Sequence, residues 1–172
     1  KVTDFSKSSK NILCSKNTMR LINDLEQNKY ILFKDKLNFK FPGGKGYLPH
    51  IDGHFYWRNK NKKYQNGWKK YSSNFINLVL PLEQSSIKNG CIYVASKKDT
   101  IKIGKTFNQI TNNLVLNTPN IRESDIRKFK FFPIELKVGD ICLFNWKCAH
   151  YSENNYSNRS RMIFYATFCK SP

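Results

Sequence analysis

Short strand-like runs separated by turn signals dominate this chain, and they narrow what it can fold into. Lys36-Leu37-Asn38-Phe39-Lys40-Phe41 alternates polar and apolar residues, the pattern of a half-buried strand. Tyr30 to Phe33, Cys91 to Val94, Phe131 to Leu136, Ile141 to Phe144 and Met162 to Phe168 are further short runs of strand-forming residues. Phe75 to Leu82 is mostly apolar and suits a central strand. Turns are signalled at Pro42-Gly43-Gly44-Lys45-Gly46, Asn89-Gly90 and Lys137-Val138-Gly139-Asp140. Such a pattern predicts a β-sandwich or barrel. Neither βαβ alternation nor a glycine-rich phosphate loop accompanies it.

The clearest helix signal is the spacing of Met19, Leu21, Ile22 and Leu25, with Asn17 or Thr18 as cap and an end near Asn28. Residues 1–17 read as polar loop, and 58–73 as a basic loop around Trp68. Between 97 and 130, Ile101-Lys102-Ile103 and Leu114-Val115-Leu116 are strand-like, and 119–128 reads as helical. The length of 172 residues suits a single domain, 1–172, with a proper core.

Charge bears on partners. The formal net charge is +18, with the lysines scattered along the whole chain and densest at Arg58-Asn59-Lys60-Asn61-Lys62-Lys63. No nucleic-acid-binding signature accompanies them, so nucleic acid is not the expected partner. The bias reads as a solvated surface that also draws small anions toward a site. No apolar run approaches the ~18 residues that span a bilayer, so no membrane partner is expected. Five cysteines (Cys14, Cys91, Cys142, Cys148, Cys169) without a CxxC pair argue for reduced thiols and a cytoplasmic location.

The chemistry sits in two places. Tyr47-Leu48-Pro49-His50-Ile51-Asp52-Gly53 carries a histidine and a carboxylate two residues apart, on one face if the segment is a strand. His150 follows the Gly139-Asp140 turn and an apolar strand. An HxD pair alone is weak evidence, because a surface histidine beside an acid is common. Its apolar flanks and the second histidine raise its weight. His50, Asp52 and His150 then form the two-histidine, one-carboxylate set of non-haem Fe(II) oxygenases, which leaves coordination positions open. His54 is second choice, lying past the expected end of the strand. A structural zinc site would want four ligands; Cys148 would have to join, and its thiolate would fill a position that the chemistry needs open.

Arg161 lies eleven residues after His150. If the two segments pair as an antiparallel hairpin, its guanidinium reaches the same cavity, where it would bind a carboxylate through two parallel hydrogen bonds. The plain alternative is a surface arginine, since Arg159 is close by. Ser152 would share the face of His150 and is able to donate to the same carboxylate. The aromatics Phe55, Tyr56, Trp57, Trp146 and Tyr151 are core or pocket residues. Trp57 is the best pocket candidate, because it opens the loop after the metal strand.

Together these residues resemble a known family. His150-Tyr151-Ser152, Asn155, Ser157 and Arg161 are similar to the H-x-S-x-x-N-x-S-x-x-x-R signature of the phytanoyl-CoA dioxygenase family. Lys36 to Gly44, running on to His50 and Asp52, resembles that family's strand, turn and first metal motif, and Asn89-Gly90-Cys91 its NGC turn. The likeness runs from about residue 34 to 168. It departs at Ile51, where glutamine is common, and at Tyr151, where glycine is usual. Only 49 residues precede His50, fewer than is usual, which implies that part of the N-terminal region is lacking.

The resemblance implies a mainly β protein with flanking helices, built on a double-stranded β-helix (jelly-roll, cupin-like) core. It implies Fe(II) held by His50, Asp52 and His150, and 2-oxoglutarate held by Arg161 and Ser152, with Asn38 and Lys36 on the co-substrate strand. Molecular oxygen would be consumed, with succinate and CO2 as co-products. Asp52, where related halogenases carry a small residue, favours hydroxylation. The basic mouth suggests a small anionic substrate such as a phosphonate, a carboxylate or an acyl thioester. Two other readings remain at this stage. A non-catalytic cupin-like binding domain would lack iron-dependent succinate release. A basic nucleic-acid-binding module would show salt-dependent binding to DNA or RNA.

Overall fold

The structure, a computed structural model, describes residues 1–53, 56–58, 64–104, 120–121 and 123–171, without the side chains of 56–58, 64–66 and 102–104. Its elements run in the order α1 (Lys7–Leu13), α2 (Lys16–Glu26), β1 (Tyr30–Lys40), β2 (Tyr47–Ile51), β3 (Tyr56–Arg58), β4 (Tyr64–Asn66), β5 (Phe75–Pro81), β6 (Ile92–Ala95), α3 (Lys97–Gly104), α4 (Glu123–Ile126), β7 (Phe131–Ile134), β8 (Cys142–Asn145), β9 (Ala149–Ser152) and β10 (Arg161–Lys170). Two antiparallel four-stranded sheets, ordered β1-β10-β5-β8 and β2-β9-β6-β7, carry the fold, and β3 and β4 form a separate hairpin. Eight strands in two sheets, with strands adjacent in sequence crossing between them, are the jelly-roll arrangement.

Between the sheets, Val79, Ile92, Leu136, Phe144, Cys148 and Ile163 pack together. The outer face of the first sheet is covered by the N-terminal helices. Leu13 and Ile22 lie against Tyr30, Ile76, Leu78, Phe164, Ala166 and Phe168. Burial of several large apolar side chains, each contributing about 1.5–3 kcal/mol, explains why residues 1–17 are not the loop that their polar composition suggests. Ser6 caps α1 by accepting from Ser9 N–H at 3.2 Å, and the Asp35 carboxylate accepts from the Val2 and Thr3 backbone amides at 2.6 and 3.0 Å. α2 begins earlier than expected, because Ser15 rather than Asn17 or Thr18 is the cap and accepts from Thr18 N–H. It ends at Gln27 in the left-handed conformation (φ 50°).

Two further expectations change. Ile101-Lys102-Ile103 lies in the helix α3; Ser96 opens that helix by accepting from Asp99 N–H at 3.0 Å. Residues 58–73 include the second strand of the β3–β4 hairpin rather than being loop throughout, and Trp68 is buried against Phe75, Trp146 and Cys169. His54, Phe55, the Lys60-Asn61-Lys62-Lys63 run, Leu114 to Leu116 and the Trp57 side chain lie outside the described residues. All five thiols are free. Among the described residues, no helix is long and apolar enough to cross a membrane.

β1 decides the character of the interior. Its pairing with β10 slips between Leu32 and Lys34, so Phe33 is an extra residue. The slip resets the alternation. Before it, Leu32 opposes Phe168 on the outer face; after it, Lys34, Lys36, Asn38 and Lys40 oppose Thr167, Tyr165, Ile163 and Arg161. Four even-numbered polar residues of β1 thereby face the space between the sheets. Lys40 is only 3% exposed, whereas Phe39 and Phe41 are 52% and 66% exposed.

Close backbone approach fixes the β1–β2 turn. A Cβ added at Gly46 would lie 1.9 Å from the Ser152 carbonyl oxygen. We expect Gly46→Ala to push β2 away from β9 and to cost about 1–3 kcal/mol, as overpacking does. For a chain of this size that lowers Tm by roughly 2–12 °C, measurable by thermal melting; an unchanged Tm would mean the two strands are not held this closely.

Candidate metal and co-substrate site

His50 and His150 are direct cross-strand partners on β2 and β9, with ring centroids 4.3 Å apart. Their convergence therefore comes from strand pairing. Asp52 is not on the strand but in the turn that follows Ile51, ahead of Gly53 at φ +73°. Its Oδ2 lies 3.7 Å from His150 Nε2. One ligand atom from each of the three residues falls within 4.8 Å of the others. Donors about 2.1 Å from a common ion lie at most roughly 4.2 Å apart, so small side-chain rotations bring the set onto one ion.

The surroundings prepare these donors. His50 Nδ1 lies 2.7 Å from the Leu48 carbonyl oxygen, and His150 Nδ1 lies 3.0 Å from that of Cys148. A carbonyl can only accept, so each Nδ1 carries a proton, and in the neutral imidazole the lone pair is on Nε2. Desolvation first, and His150 second, hold the His50 pKa down at about 4. The residue is half-buried and lines the cavity. A neutral imidazole is the metal-binding form. For Asp52, burial pushes the pKa up, but His150, Lys34, His50 and a hydrogen bond from Asn77 outweigh it and leave the carboxyl below its ordinary value. Asn77 Nδ2 donates to Asp52 Oδ2 at 2.7 Å, and Thr167 Oγ1 donates to Asn77 Oδ1 at 2.8 Å. Two imidazoles that present Nε2 to the same point as a carboxylate fit Fe(II).

The site floors a cavity of about 230 Å³, walled by Lys34, Lys36 and Asn38 of β1, Tyr47, Ser152 and Tyr165 among others. Lys34 Nζ sits 4.1 Å over the Trp68 ring. Lys36 Nζ sits 5.0 Å over Tyr47 and 5.4 Å over Tyr165. At the far end is Arg161, 1% exposed, which lies behind Asn38 rather than on the cavity wall. It donates to the Gly90 carbonyl and, at 3.0 Å, to Asn38 Oδ1; among the described residues its Nε has no hydrogen-bond partner. Arg159 is the exposed one of the pair.

The expected hairpin between the His150 and Arg161 segments does not form. β9 pairs with β2 and β6, whereas β10 pairs with β1 and β5. The chain changes sheet between them because Asn155 pins the crossing. Fully buried, it donates to the Lys40 and Arg159 carbonyls at 2.9 and 2.7 Å and accepts from the Ser157 backbone amide and hydroxyl. Cys148 is buried between the sheets and takes no part in the cluster. Trp146 is likewise fully buried core.

Asn77, Thr167, Lys34 and Lys40 escaped the sequence reading. Asn77 had a usable signal: it is the polar interruption in the apolar run Phe75 to Leu82.

The family match covers residues 3–163 with the description phytanoyl-CoA dioxygenase. The chain belongs to the phytanoyl-CoA dioxygenase family. It is 30% identical over 165 residues to a 2-aminoethylphosphonate dioxygenase from the uncultured bacterium HF130_AEPn_1, covering 96% of this chain and 55% of that relative. It is 22% identical over 170 residues to the dioxygenase lolE1 of Epichloe uncinata, covering 98% and 57%. This member of the family thus spans about half the length of the curated relatives it matches. Among solved structures, it shares its fold with the epimerase SnoN in complex with Fe3+, alpha ketoglutarate and nogalamycin RO. The TM-score is 0.72 at 13% identity, over 98% of this chain and 61% of that one. EctD from S. alaskensis with bound Fe matches with a TM-score of 0.70 at 12% identity, over 99% and 55%.

Proposed function

We propose that the chain is the core of an Fe(II)- and 2-oxoglutarate-dependent dioxygenase that hydroxylates a small anionic organic molecule. The observation that carries this reading is the convergence of His50, Asp52 and His150, each histidine held through its Nδ1, on a cavity whose lining includes Lys34 and Lys36. His50, Asp52 and His150 would hold the iron, which when bound supplies the oxidising chemistry that splits 2-oxoglutarate to succinate and CO2 and inserts oxygen into a C–H bond.

The chain's own part is binding, orientation and charge. Ser152 on the cavity wall and Arg161, with Asn38 between it and the cavity, form the end suited to the distal carboxylate of 2-oxoglutarate. Among the described residues the buried Arg161 Nε has no partner, which leaves one donor for an acceptor. Lys34 and Lys36 are left for the substrate. Their ammonium groups, held over aromatic rings, give an anion two fixed positive charges beside the iron. A phosphonate suits that wall, and the 2-aminoethylphosphonate dioxygenase among the relatives makes it the first compound to try.

The test is succinate formation by Fe(II)-loaded protein supplied with 2-oxoglutarate and oxygen, with and without 2-aminoethylphosphonate, other phosphonates and short carboxylates. We expect succinate release to require iron and to rise with at least one anionic compound. Protein that binds iron and 2-oxoglutarate yet releases no succinate with any of them would be a binding domain instead.

A further inference from the structure

Lys40 and Arg161 are cross-strand partners on β1 and β10, 3% and 1% exposed. Neither has a carboxylate within salt-bridge distance among the described residues, although both donate to the same carbonyl, that of Gly90. Two like charges buried side by side cost free energy that an anion would offset. The pair therefore marks a place built for a negatively charged ligand.

The hydrogen bonds say how that ligand is met. The Lys40 ammonium has three protons and three acceptors: Glu153 carbonyl oxygen at 2.6 Å, Ser152 Oγ at 3.0 Å and Gly90 carbonyl oxygen at 3.3 Å. Ser152 Oγ also accepts from the Tyr47 backbone amide at 3.2 Å. A serine hydroxyl has two acceptor sites and one proton. Both acceptor sites are taken, and neither donor can turn round, since an ammonium and a peptide N–H have nothing to accept with. Among the described residues, the hydroxyl proton has no acceptor of its own, and Ser152 lines the cavity.

We propose that Lys40 is a positioning residue for the co-substrate: by occupying Ser152 Oγ it makes the serine an obligate donor toward the distal carboxylate of 2-oxoglutarate. This rests on the reading of the cavity as a 2-oxoglutarate site. The arrangement depends on Lys40 being charged, because a neutral amine carries a lone pair that competes for the serine proton. Burial first, and Arg161 second, lower the Lys40 pKa to about 8, against the opposing effects of Cys91 and Glu153. These are the charged and titratable groups facing Lys40 from β10, from the residue before β6 and from the residue after β9. Burial first, and Glu135 second, push the Cys91 thiol itself up to about 11.

The test is 2-oxoglutarate affinity, measured by calorimetry on anaerobic Fe(II)-loaded protein. Lys40→Met should weaken it by about tenfold or more, the usual worth of a hydrogen bond to a charged group. Iron affinity and the far-UV spectrum should not move, as they would if Lys40 only held the fold. In a Ser152→Ala background, Lys40→Met should add less than about threefold, because the lysine works through the serine. Losses that add in full would overturn the inference. If Lys40→Met does not fold, the pH profile carries the test. Affinity of the unaltered protein should fall progressively above pH 8, and Ser152→Ala should abolish that fall; a pH-independent affinity would overturn the inference. No 2-oxoglutarate binding by the unaltered protein would overturn the proposed function and this inference with it, whereas normal binding by Lys40→Met would overturn this inference alone.

Discussion

Replacement of His50, Asp52 or His150 by alanine should abolish iron-dependent turnover and lower Fe(II) affinity by more than a hundredfold, while the metal-free protein still folds. Loss of an outer partner of a metal ligand typically costs 10–100-fold, and these three are the candidate ligands themselves. Each opens onto the cavity or sits at its floor rather than in one of the apolar clusters, so truncation leaves the core packing in place. Asn77→Ala should fall within the 10–100-fold range. It removes the 2.7 Å bond that aims Asp52 and strands the Thr167 hydroxyl behind it. Fe(II) titration with each variant decides the matter. Unaltered affinity in all three alanine variants would exclude this cluster as the metal site.

Arg161→Ala should weaken 2-oxoglutarate binding by roughly thirtyfold or more. Truncating one partner of a buried charge pair costs on the order of 2–5 kcal/mol, and 1.4 kcal/mol is a factor of ten. The structure adds a second reason. Arg161 also anchors Asn38 Oδ1 and the Gly90 carbonyl, so its loss frees two groups at the same end of the cavity. Arg161→Lys should recover part of the affinity, because a point charge cannot reproduce the planar fork. Arg159→Ala is the control: its side chain is exposed, and its hydrogen bonds with Asn155 and Ser157 are made by its backbone carbonyl and amide. Iron binding should survive in all of these variants. A damaging Arg159→Ala with a silent Arg161→Ala would place the carboxylate site elsewhere.

The class of fold and the family were legible because strand periodicity and turn residues are local signals. The HxD pair, the second histidine and the arginine were legible as chemistry, since few residue types bind iron or grip a carboxylate. What could not be read was how they meet. His50 and His150 are a hundred positions apart and become neighbours only through the β2–β9 pairing. Asp52 reaches them from a turn, and Arg161 comes from the other sheet, so neither spacing along a strand nor a hairpin accounts for the site.

β1 marks the boundary most clearly. By itself, the sequence determined that 36–41 is an extended segment with two unlike faces, because side chains alternate along any strand. Only the tertiary structure decided which face is inside. One slipped residue, Phe33, turns Lys34, Lys36, Asn38 and Lys40 toward the cavity and leaves Phe39 and Phe41 outside. A period of two carries no record of its own phase, so a single-residue shift in pairing exchanges the faces. Here the polar face is the one that lines the cavity.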